Sequence, residues 1–289
     1  MTLDSDPESI ISAMGASTNV AGFAVPLQDA IDETLYGGKC ASLARALRAG
    51  LPAPGGFALS VALVKRIAQG AAADFPEIAA LFPLLAPAMA ARSSAVGEDS
   101  NDASFAGQHL SVLNIMNADA MMAAIVDVFA SAHTPEALAY RSRMQVPGES
   151  AIAVALQKQI LSESAGVMFT RNPLSGAEER YIEASWGLGE AIVAGLVVPD
   201  SFRLSADGSV LESTAGEKDL MLVAEADGTV VEMEVEGERI ESLCLSTEQL
   251  GQLHELASNC QNIYGRDIDI EWAFYQGQLY LLQCRGITR

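Results

Sequence analysis

Histidine and cysteine are scarce in this sequence, and the few present are poorly spaced for metal or thiol chemistry. The three histidines, His109, His133 and His254, do not have the spacing of metal ligands. The four cysteines are far apart and form no CxxC pair, so neither a zinc site nor a disulfide framework is expected. No GxSxG motif occurs, so the sequence indicates neither a zinc hydrolase nor a serine hydrolase.

Basic residues are also few, because 17 Lys and Arg stand against 37 Asp and Glu, for a formal charge of −20. This excess of negative charge disfavours nucleic acid and anionic membrane surfaces as partners. No apolar run approaches the roughly 18–20 residues that span a bilayer. The opening sequence MTLDSDPESI has neither the basic nor the apolar part of a secretory signal. We therefore expect a cytoplasmic protein with no nucleic acid and no membrane partner.

What the sequence does contain is enough apolar material for a large core, since 50% of its 289 residues are hydrophobic. Helical and strand-like patterns are mixed along the chain, without repeats, which predicts an α/β or α+β fold. The expected helices are a short one that stops at Gly50, a proline-broken stretch at 61–90, one at 118–132, and one from a Ser246 capping box to Gly265. Residues 92–107 are predicted to form a polar loop, and 151–170 two strands.

The last predicted element is a β-hairpin over residues 267–285, and it carries the most informative local pattern. Apolar and acidic residues alternate in its first strand, which puts Asp269 and Glu271 on one face. Its return strand carries Gln283 and Arg285 at the same spacing of two residues. Two carboxylates, an amide and a guanidinium would then form one patch.

The length of the hairpin loop decides which of these residues lie opposite each other. A three-residue loop, Gln276-Gly277-Gln278, sets Glu271 opposite Gln283 and therefore Asp269 opposite Arg285. A two-residue loop sets Leu282 beside Glu271 and mixes the faces. We prefer the three-residue loop, with its glycine in the left-handed conformation.

This patch has two interpretations. Carboxylates two residues apart on a strand suit Mg²⁺, which commonly binds one or two carboxylates together with substrate phosphates. The alternative is an ordinary solvated ion pair between Asp269 and Arg285 across the strands. The hairpin alone does not decide between them.

Two cationic positions elsewhere are candidates for binding an anion. Lys39 follows two glycines, but Glu33 stands where a P-loop needs glycine, and Cys40 stands where it needs Ser or Thr. Arg92 is the last basic residue before Arg141, so it is either a surface arginine or a guanidinium kept for a bidentate anion. Neither position identifies a ligand by itself.

Taken in order, the motifs resemble one family: the nucleotide-binding domain of phosphoenolpyruvate synthase, pyruvate phosphate dikinase and rifampin phosphotransferase. The resemblance covers about residues 35–289. It rests on GGK at 37–39, GLPAPGGF at 50–57, RSSA at 92–95, EDS at 98–100, ASFAGQ at 103–108, GVMFT at 166–170, GLGE at 187–190, PD at 199–200, DIEWA at 269–273 and LQCR at 282–285.

The resemblance implies an α+β fold of the ATP-grasp type, with two lobes and the ATP site between them. The implied division is an acidic lead-in at 1–35, an N-terminal lobe at 36–150, and a C-terminal lobe with the metal-binding hairpin at 151–289. The implied cofactors are ATP and Mg²⁺.

The resemblance also assigns the site residues, position by position. Lys39, Arg92 and Arg285 are implied as the catalytic cations that bind the ATP phosphates. Asp269 and Glu271 are implied as the Mg²⁺ ligands. Further nucleotide contacts are implied for Gly107 and Ser111 near the phosphates, Gln157 near the adenine, and Gln283 at the phosphate end. Glu183 and Lys218 lie in family-like stretches but receive no role.

The implied activity is an ATP-dependent phosphotransfer that charges a histidine and leaves AMP. His109 and His254 suit that role poorly, since His109 lies in the FAGQ stretch and His254 flanks an apolar helix stripe. The carrier histidine is therefore expected on another polypeptide. Three alternatives remain open: an ATP-grasp kinase or ligase acting directly on a small molecule, a non-catalytic ATP-sensing or scaffold subunit, and a domain fragment of a longer enzyme.

Overall fold

The computed structural model describes residues 24–71, 76–97, 110–143, 150–265 and 267–286. Of the site residues implied above, Gly107 lies outside these ranges. None of the helices in the described ranges is long and apolar enough to cross a membrane.

A five-stranded antiparallel sheet forms the first half of the fold. Its strands are β1 (Ala24–Pro26), β2 (Gly56–Leu59), β3 (Met89–Ala95), β4 (Ser111–Ile115) and β5 (Ile152–Lys158), in the order β1-β2-β5-β3-β4. The central strand β5 is buried at every position but its last, which fits the apolar run over its first five residues.

Six helices accompany this sheet in the described part of the chain: α1 (Glu33–Arg48), α2 (Val61–Arg66), α3 (Pro76–Ala79), α4 (Phe82–Leu85), α5 (Ala118–Ser131) and α6 (Pro135–Arg143). The expected helical stretch at 61–90 is thus broken into short pieces, as its prolines predict, and it ends before β3. The predicted helix at 118–132 is confirmed as α5, and its Asn117 side chain caps the first turn by accepting from the Ala120 amide.

A six-stranded antiparallel sheet forms the second half. Its strands are β6 (Ser164–Phe169), β7 (Arg180–Trp186), β8 (Asp200–Leu204), β9 (Val210–Thr214), β12 (Ile268–Tyr275) and β13 (Gln278–Gly286), in the order β13-β12-β6-β7-β8-β9. The helices here are α7 (Glu190–Val193) and α8 (Thr247–Tyr264). The predicted capping box at Ser246 is confirmed: its hydroxyl accepts from the Gln249 backbone amide, and the Gln249 side-chain oxygen accepts from the Ser246 backbone amide.

A separate hairpin of β10 (Leu220–Ala224) and β11 (Val230–Glu234) links the two halves. Midway along β10, the Leu222 carbonyl accepts from the amide of Leu188, just after β7. At its turn, the Asn114 side-chain amide donates to the carbonyls of Glu225 and Thr229, at 2.7 Å each. The hairpin is therefore anchored to both sheets.

The interior contains three apolar clusters that follow this division. One lies against the first sheet and includes Met89 and Leu156, and another lies under the second sheet and includes Trp272 and Phe202. A smaller third cluster joins α1 to the first sheet. The proposed lobe boundary at 150/151 stays a prediction; strand pairing groups β5 with the first sheet.

Two local predictions are wrong. Residues 92–95, expected to open a polar loop, instead complete the buried strand β3. The terminal hairpin turns through two residues, Gln276 and Gly277, because Tyr275 pairs directly with Gln278. Both turn residues have positive φ, of 50° and 75°, as a two-residue hairpin turn requires.

Candidate functional site

The pairing predicted for the site residues nevertheless holds, because a β-bulge compensates for the shorter turn. The register shifts between Glu271 and Trp272, so that Leu282 is the extra residue on β13. Beyond the bulge, Glu271 lies opposite Gln283, and Asp269 lies opposite Arg285. The expected register is confirmed at the site, while the three-residue loop offered as its cause is wrong.

The bulge also presents a backbone carbonyl to the first sheet. The Arg92 Nη1 atom donates to the Leu282 carbonyl oxygen at 2.8 Å, and its Nη2 donates to the Glu271 Oε2 at 2.6 Å. The Arg92 side chain is only 12% exposed in this position. One guanidinium on β3 thus binds two groups on the terminal hairpin.

Arg285 and Asp269 form the second ion pair of the site. Both Asp269 carboxylate oxygens accept from the Arg285 Nε, at 3.0 and 2.8 Å, and the Oδ2 also lies 2.8 Å from Nη2. Both side chains are about one-fifth exposed, at 21% and 20%. The cross-strand pair considered from the sequence is therefore present, but it is largely shielded rather than solvated.

Lys39 reaches the same region from helix α1. The helix is interrupted at Gly37, whose φ of 75° and ψ of 168° are not helical, so Lys39 lies in the first turn after the break. Ser42, three residues further and hence on the same side of the helix, donates its hydroxyl to the Cys284 carbonyl of β13. Lys39 itself is 7% exposed.

The pKa of Glu271 reflects these cations. Burial acts to raise the pKa of this carboxyl group, but the charges of Arg92 and Lys39 outweigh burial and lower it below its ordinary value. Arg285 contributes in the same direction. Three separate cations therefore act on one carboxylate, which remains ionised.

The pKa of Asp269 shifts in the opposite direction from that of Glu271. Its burial raises the pKa above the ordinary value, although the bonds from Arg285 act to lower it. The nearby charge of Glu271 adds to the rise, as expected for two carboxylates on one strand face. A cation placed between these carboxylates would relieve that repulsion.

The carboxylate pair fits a magnesium ion in part. Its oxygens are the hard ligands that Mg²⁺ prefers, and Mg²⁺ typically takes its remaining ligands from water and phosphate. Among the residues that the structure describes, no group of three or more His, Cys, Asp or Glu side chains could hold a metal. These two residues would therefore hold Mg²⁺ only together with oxygens from another molecule.

A cleft opens beside Arg92. Its walls come from the ends of β3 and β5, from the bulge and from the start of α7, and they include Pro54, Leu113, Gln157, Ile160, Leu188 and Glu190. Gln157 is 4% exposed, and its side-chain amide donates to the Pro54 carbonyl at 3.0 Å. The lining thus combines apolar side chains with the charged groups of Arg92 and Glu190.

The remaining implied residues lie near this centre. Ser111 on β4 lies directly opposite Arg92 in the sheet register, and Gln283 is 8% exposed beside Glu271. The structure thus brings together Lys39, Arg92, Ser111, Gln157, Asp269, Glu271, Gln283 and Arg285 around the cleft and the adjoining hairpin face. Their individual roles stay predictions.

Glu190 is a site residue that sequence reasoning missed. It belongs to the GLGE motif and is the first residue of α7, where it lines the cleft next to Arg92. Burial raises its pKa, against the charge of Arg92 and together with that of Glu271. The motif was the available signal, but nothing in the local sequence indicates that α7 faces β3.

Lys218 is explained by a structural contact instead. It forms a fully buried ion pair with Asp200 at 0% exposure on both sides, and its Nζ also donates to the Ile240 carbonyl at 3.1 Å. The other Asp200 oxygen accepts from the Cys244 amide at 2.7 Å. This pair ties β8 to the segment before α8.

The amino-acid sequence matches the family described as "Pyruvate phosphate dikinase, AMP/ATP-binding domain" over residues 72–289. The chain belongs to this family. The recognition made from the motifs is thereby confirmed, as is the α+β fold class of ATP-grasp type. An AMP/ATP-binding domain also bears out ATP as the nucleotide.

Individual relatives agree with this assignment. The chain is 41% identical over 202 residues to a probable phosphoenolpyruvate synthase of Archaeoglobus fulgidus, a match covering 69% of this chain and 27% of that protein. It is 33% identical over 289 residues to the prodigiosin synthesizing transferase PigC of Serratia marcescens, covering 89% and 32%. It is 30% identical over 312 residues to the phosphoenolpyruvate synthase of Aeropyrum pernix, covering 83% and 38%.

These relatives are much longer than the chain described here. The first of them is matched over 27% of its length, and the longest of the three alignments covers 38%. The chain thus spans between 27% and 38% of the length of these relatives.

Proposed function

We propose that this chain is the ATP-binding component of a phosphotransferase that transfers a (pyro)phosphoryl group from ATP to a histidine outside these 289 residues. The observation that carries the proposal is the Arg92–Glu271 ion pair, which joins the two sheets beside the cleft. It sets a buried cation and a carboxylate of the terminal hairpin within 2.6 Å of each other. That arrangement suits a polyphosphate bound together with a divalent cation.

In this proposal the three cations bind and neutralise the phosphates. Lys39, Arg92 and Arg285 converge from α1, β3 and β13, so they surround the polyphosphate from different elements. Fixed positive charges of this kind stabilise the charge that develops during phosphoryl transfer. Gln283, Ser111 and Gly107 complete the phosphate contacts.

In this proposal the adenine occupies the cleft near Gln157, where apolar side chains such as Leu113 and Ile160 also form the walls. The buried bond from Gln157 to the Pro54 carbonyl holds this strand end in place. Asp269 and Glu271 would hold Mg²⁺, which supplies further neutralisation of the phosphates. A cation held by these carboxylates would leave the guanidiniums of Arg92 and Arg285 available to the nucleotide.

The reaction that follows is an in-line displacement. A histidine nitrogen of the carrier attacks the β-phosphorus, the bond from that phosphorus to the bridging oxygen of the α-phosphate breaks, and AMP leaves with that oxygen. Histidine loses its nitrogen-bound proton to solvent, so the charges balance. This chain contributes binding, orientation and electrostatic stabilisation.

Nucleotide analysis after incubation with ATP tests the proposal. AMP formation with a candidate carrier protein, and transfer of label from [β-³²P]ATP to that carrier, is the expected result. ADP formation with a small acceptor would instead support a kinase or ligase, and binding without turnover in any mixture would support an ATP-sensing subunit.

Matched variants make this experiment specific. Arg92→Met should abolish AMP formation, because it removes the buried guanidinium beside the cleft. Lys65→Met removes one positive charge from an exposed position on α2 and should behave as the unaltered protein. We also propose a cytoplasmic location, which the four free, buried cysteines favour.

A further inference from the structure

The break in helix α1 is filled by a side chain from another element. In an unbroken α-helix the amide of Cys40 would donate to the carbonyl of Tyr36, four residues earlier. Here the Cys40 amide donates to the Ser94 hydroxyl oxygen at 3.0 Å, and that hydroxyl donates to the Tyr36 carbonyl at 2.7 Å. The hydroxyl of Ser94 therefore replaces the missing helical hydrogen bond.

Close backbone packing holds this arrangement in place. A Cβ atom at Gly37 would lie 2.1 Å from the Ser94 carbonyl oxygen, so only glycine permits the approach of α1 to β3. Gly37 also has a φ of 75°, which glycine adopts without the strain other residues incur. Ser94 itself is 0% exposed. The contact thus depends on the positive φ of Gly37, on the absence of a Cβ atom there and on the hydrogen bonds of the Ser94 hydroxyl.

The Ser94 contact joins the two elements that carry these cations, helix α1 with Lys39 and strand β3 with Arg92. Ser94 and Arg92 are two residues apart on β3, so their side chains project from the same face of the strand. Lys39 lies inside the helical turn that the Ser94 hydroxyl closes, between Tyr36 and Cys40. A single hydroxyl thereby sets where the lysine stands relative to the arginine.

We propose that Ser94 is a positioning residue that fixes Lys39 against Arg92, so that both cations meet the same polyphosphate. The proposal rests on the function proposed above, since it takes the polyphosphate of ATP as the ligand. Loss of the hydroxyl leaves the Tyr36 carbonyl and the Cys40 amide without their bridge. The turn that carries Lys39 then becomes free to shift, while the adenine end of the cleft is unaffected.

Calorimetric titration of the purified chain with ATP and with adenosine, both with Mg²⁺, tests this. Ser94→Ala should weaken ATP binding by roughly 10- to 100-fold, the range expected when a charge-assisted contact is lost. Adenosine has no phosphate, so its affinity should change less than about twofold. A purely structural role for Ser94 would lower the affinity for both ligands alike.

Ser93→Ala is the matched control. Ser93 is equally buried on the same strand but points to the opposite face, and its hydroxyl has no hydrogen-bond partner among the residues the structure describes. This variant removes the same atoms and should leave ATP affinity unchanged. Ser94→Thr, which keeps the hydroxyl, should retain most of the affinity.

A double-mutant cycle connects Ser94 to Lys39. Lys39→Met should lower ATP affinity on its own, and adding Ser94→Ala to it should cause less than about a twofold further loss. Multiplicative losses in the double variant, or unchanged ATP binding in Ser94→Ala, would overturn the proposal. If the unaltered protein does not bind ATP, the proposed function fails instead, so the two failures are distinguishable. Where Ser94→Ala folds only partly, the calorimetric stoichiometry gives the folded fraction, and the affinity still decides the question.

Discussion

The ion pair between Arg92 and Glu271 predicts that ATP and Mg²⁺ assist each other's binding. In the structure the Glu271 carboxylate is paired with the Arg92 guanidinium, with Nη2 and Oε2 2.6 Å apart. The proposed function assigns this guanidinium to a phosphate. ATP alone must break this pair and approach a negative charge. A cation that draws Glu271 away removes both costs. Glu271→Gln removes the charge while keeping the size of the side chain.

The magnitude follows from the geometry. Two unit charges about 4 Å apart interact by about 4 kcal/mol at an effective dielectric constant of about 20. The Glu271 side chain is 34% exposed, so solvent screens part of this charge–charge interaction. We therefore take the net interaction free energy of the Arg92–Glu271 pair as about 1.5–3 kcal/mol, the range typical of a hydrogen bond to a charged group. It corresponds to roughly a 10- to 100-fold change in affinity.

Calorimetry with ATP, in EDTA and in Mg²⁺, measures the effect. In EDTA, Glu271→Gln should bind ATP roughly 10- to 100-fold more tightly than the unaltered protein. Addition of Mg²⁺ should then strengthen binding far less than in the unaltered protein. Glu212→Gln is the control, because it removes the same charge from an exposed ion pair with Arg203 on the second sheet.

Two results would refute the reasoning. One is an unchanged ATP affinity of Glu271→Gln in EDTA, which would mean that the carboxylate does not compete for Arg92. The other is an equal gain from Mg²⁺ in the variant and the unaltered protein, which would remove Glu271 from the metal site.

The remaining predictions concern stability and pH. Lys218→Met leaves the buried Asp200 carboxylate without its cation, so the free energy of unfolding in urea should fall by about 3–5 kcal/mol. Asn114→Ala removes both bonds to the β10–β11 turn and should cost about 1–3 kcal/mol in the same assay, whereas a cost near zero would mean that the turn is not held there. The bonds from Arg203 and Asn172 lower the pKa of Glu179 below its ordinary value. Its stabilisation is therefore complete above the unfolded pKa and is lost as the pH falls through the folded value. Glu179→Gln should flatten the acid side of a thermal-denaturation pH profile, and an unchanged profile would contradict this.

The hairpin shows how far sequence reasoning reached. Alternation of acidic and apolar residues correctly placed Asp269 and Glu271 on one face and set their partners Arg285 and Gln283. The loop length was predicted wrongly because a bulge at Leu282 changes the count of paired residues. A bulge depends on the neighbouring strands and on Arg92, whose guanidinium binds the bulged carbonyl.

The cations Lys39 and Arg92 show a similar limit to what the sequence could predict. The GGK sequence and the isolated arginine marked Lys39 and Arg92 as candidates, and the family resemblance assigned them a common ligand. Nothing in the sequence indicated that Ser94 would close the helical turn that carries Lys39, or that Glu190 would line the cleft beside Arg92. Residues 92–95 were even expected to be a loop, because their small polar side chains conceal a buried strand.

The sequence by itself determined the family, through the order of its motifs, and also the helix caps and the alternating faces of the terminal hairpin, which depend on residues a few positions apart. The tertiary structure decided which side chains meet. Ser94 and Tyr36 are 58 residues apart, and Arg92 and Glu271 are 179 apart. Contacts at such separations form only when whole sheets and helices pack, because packing sets the distances between charges and hydrogen-bonding groups on different elements.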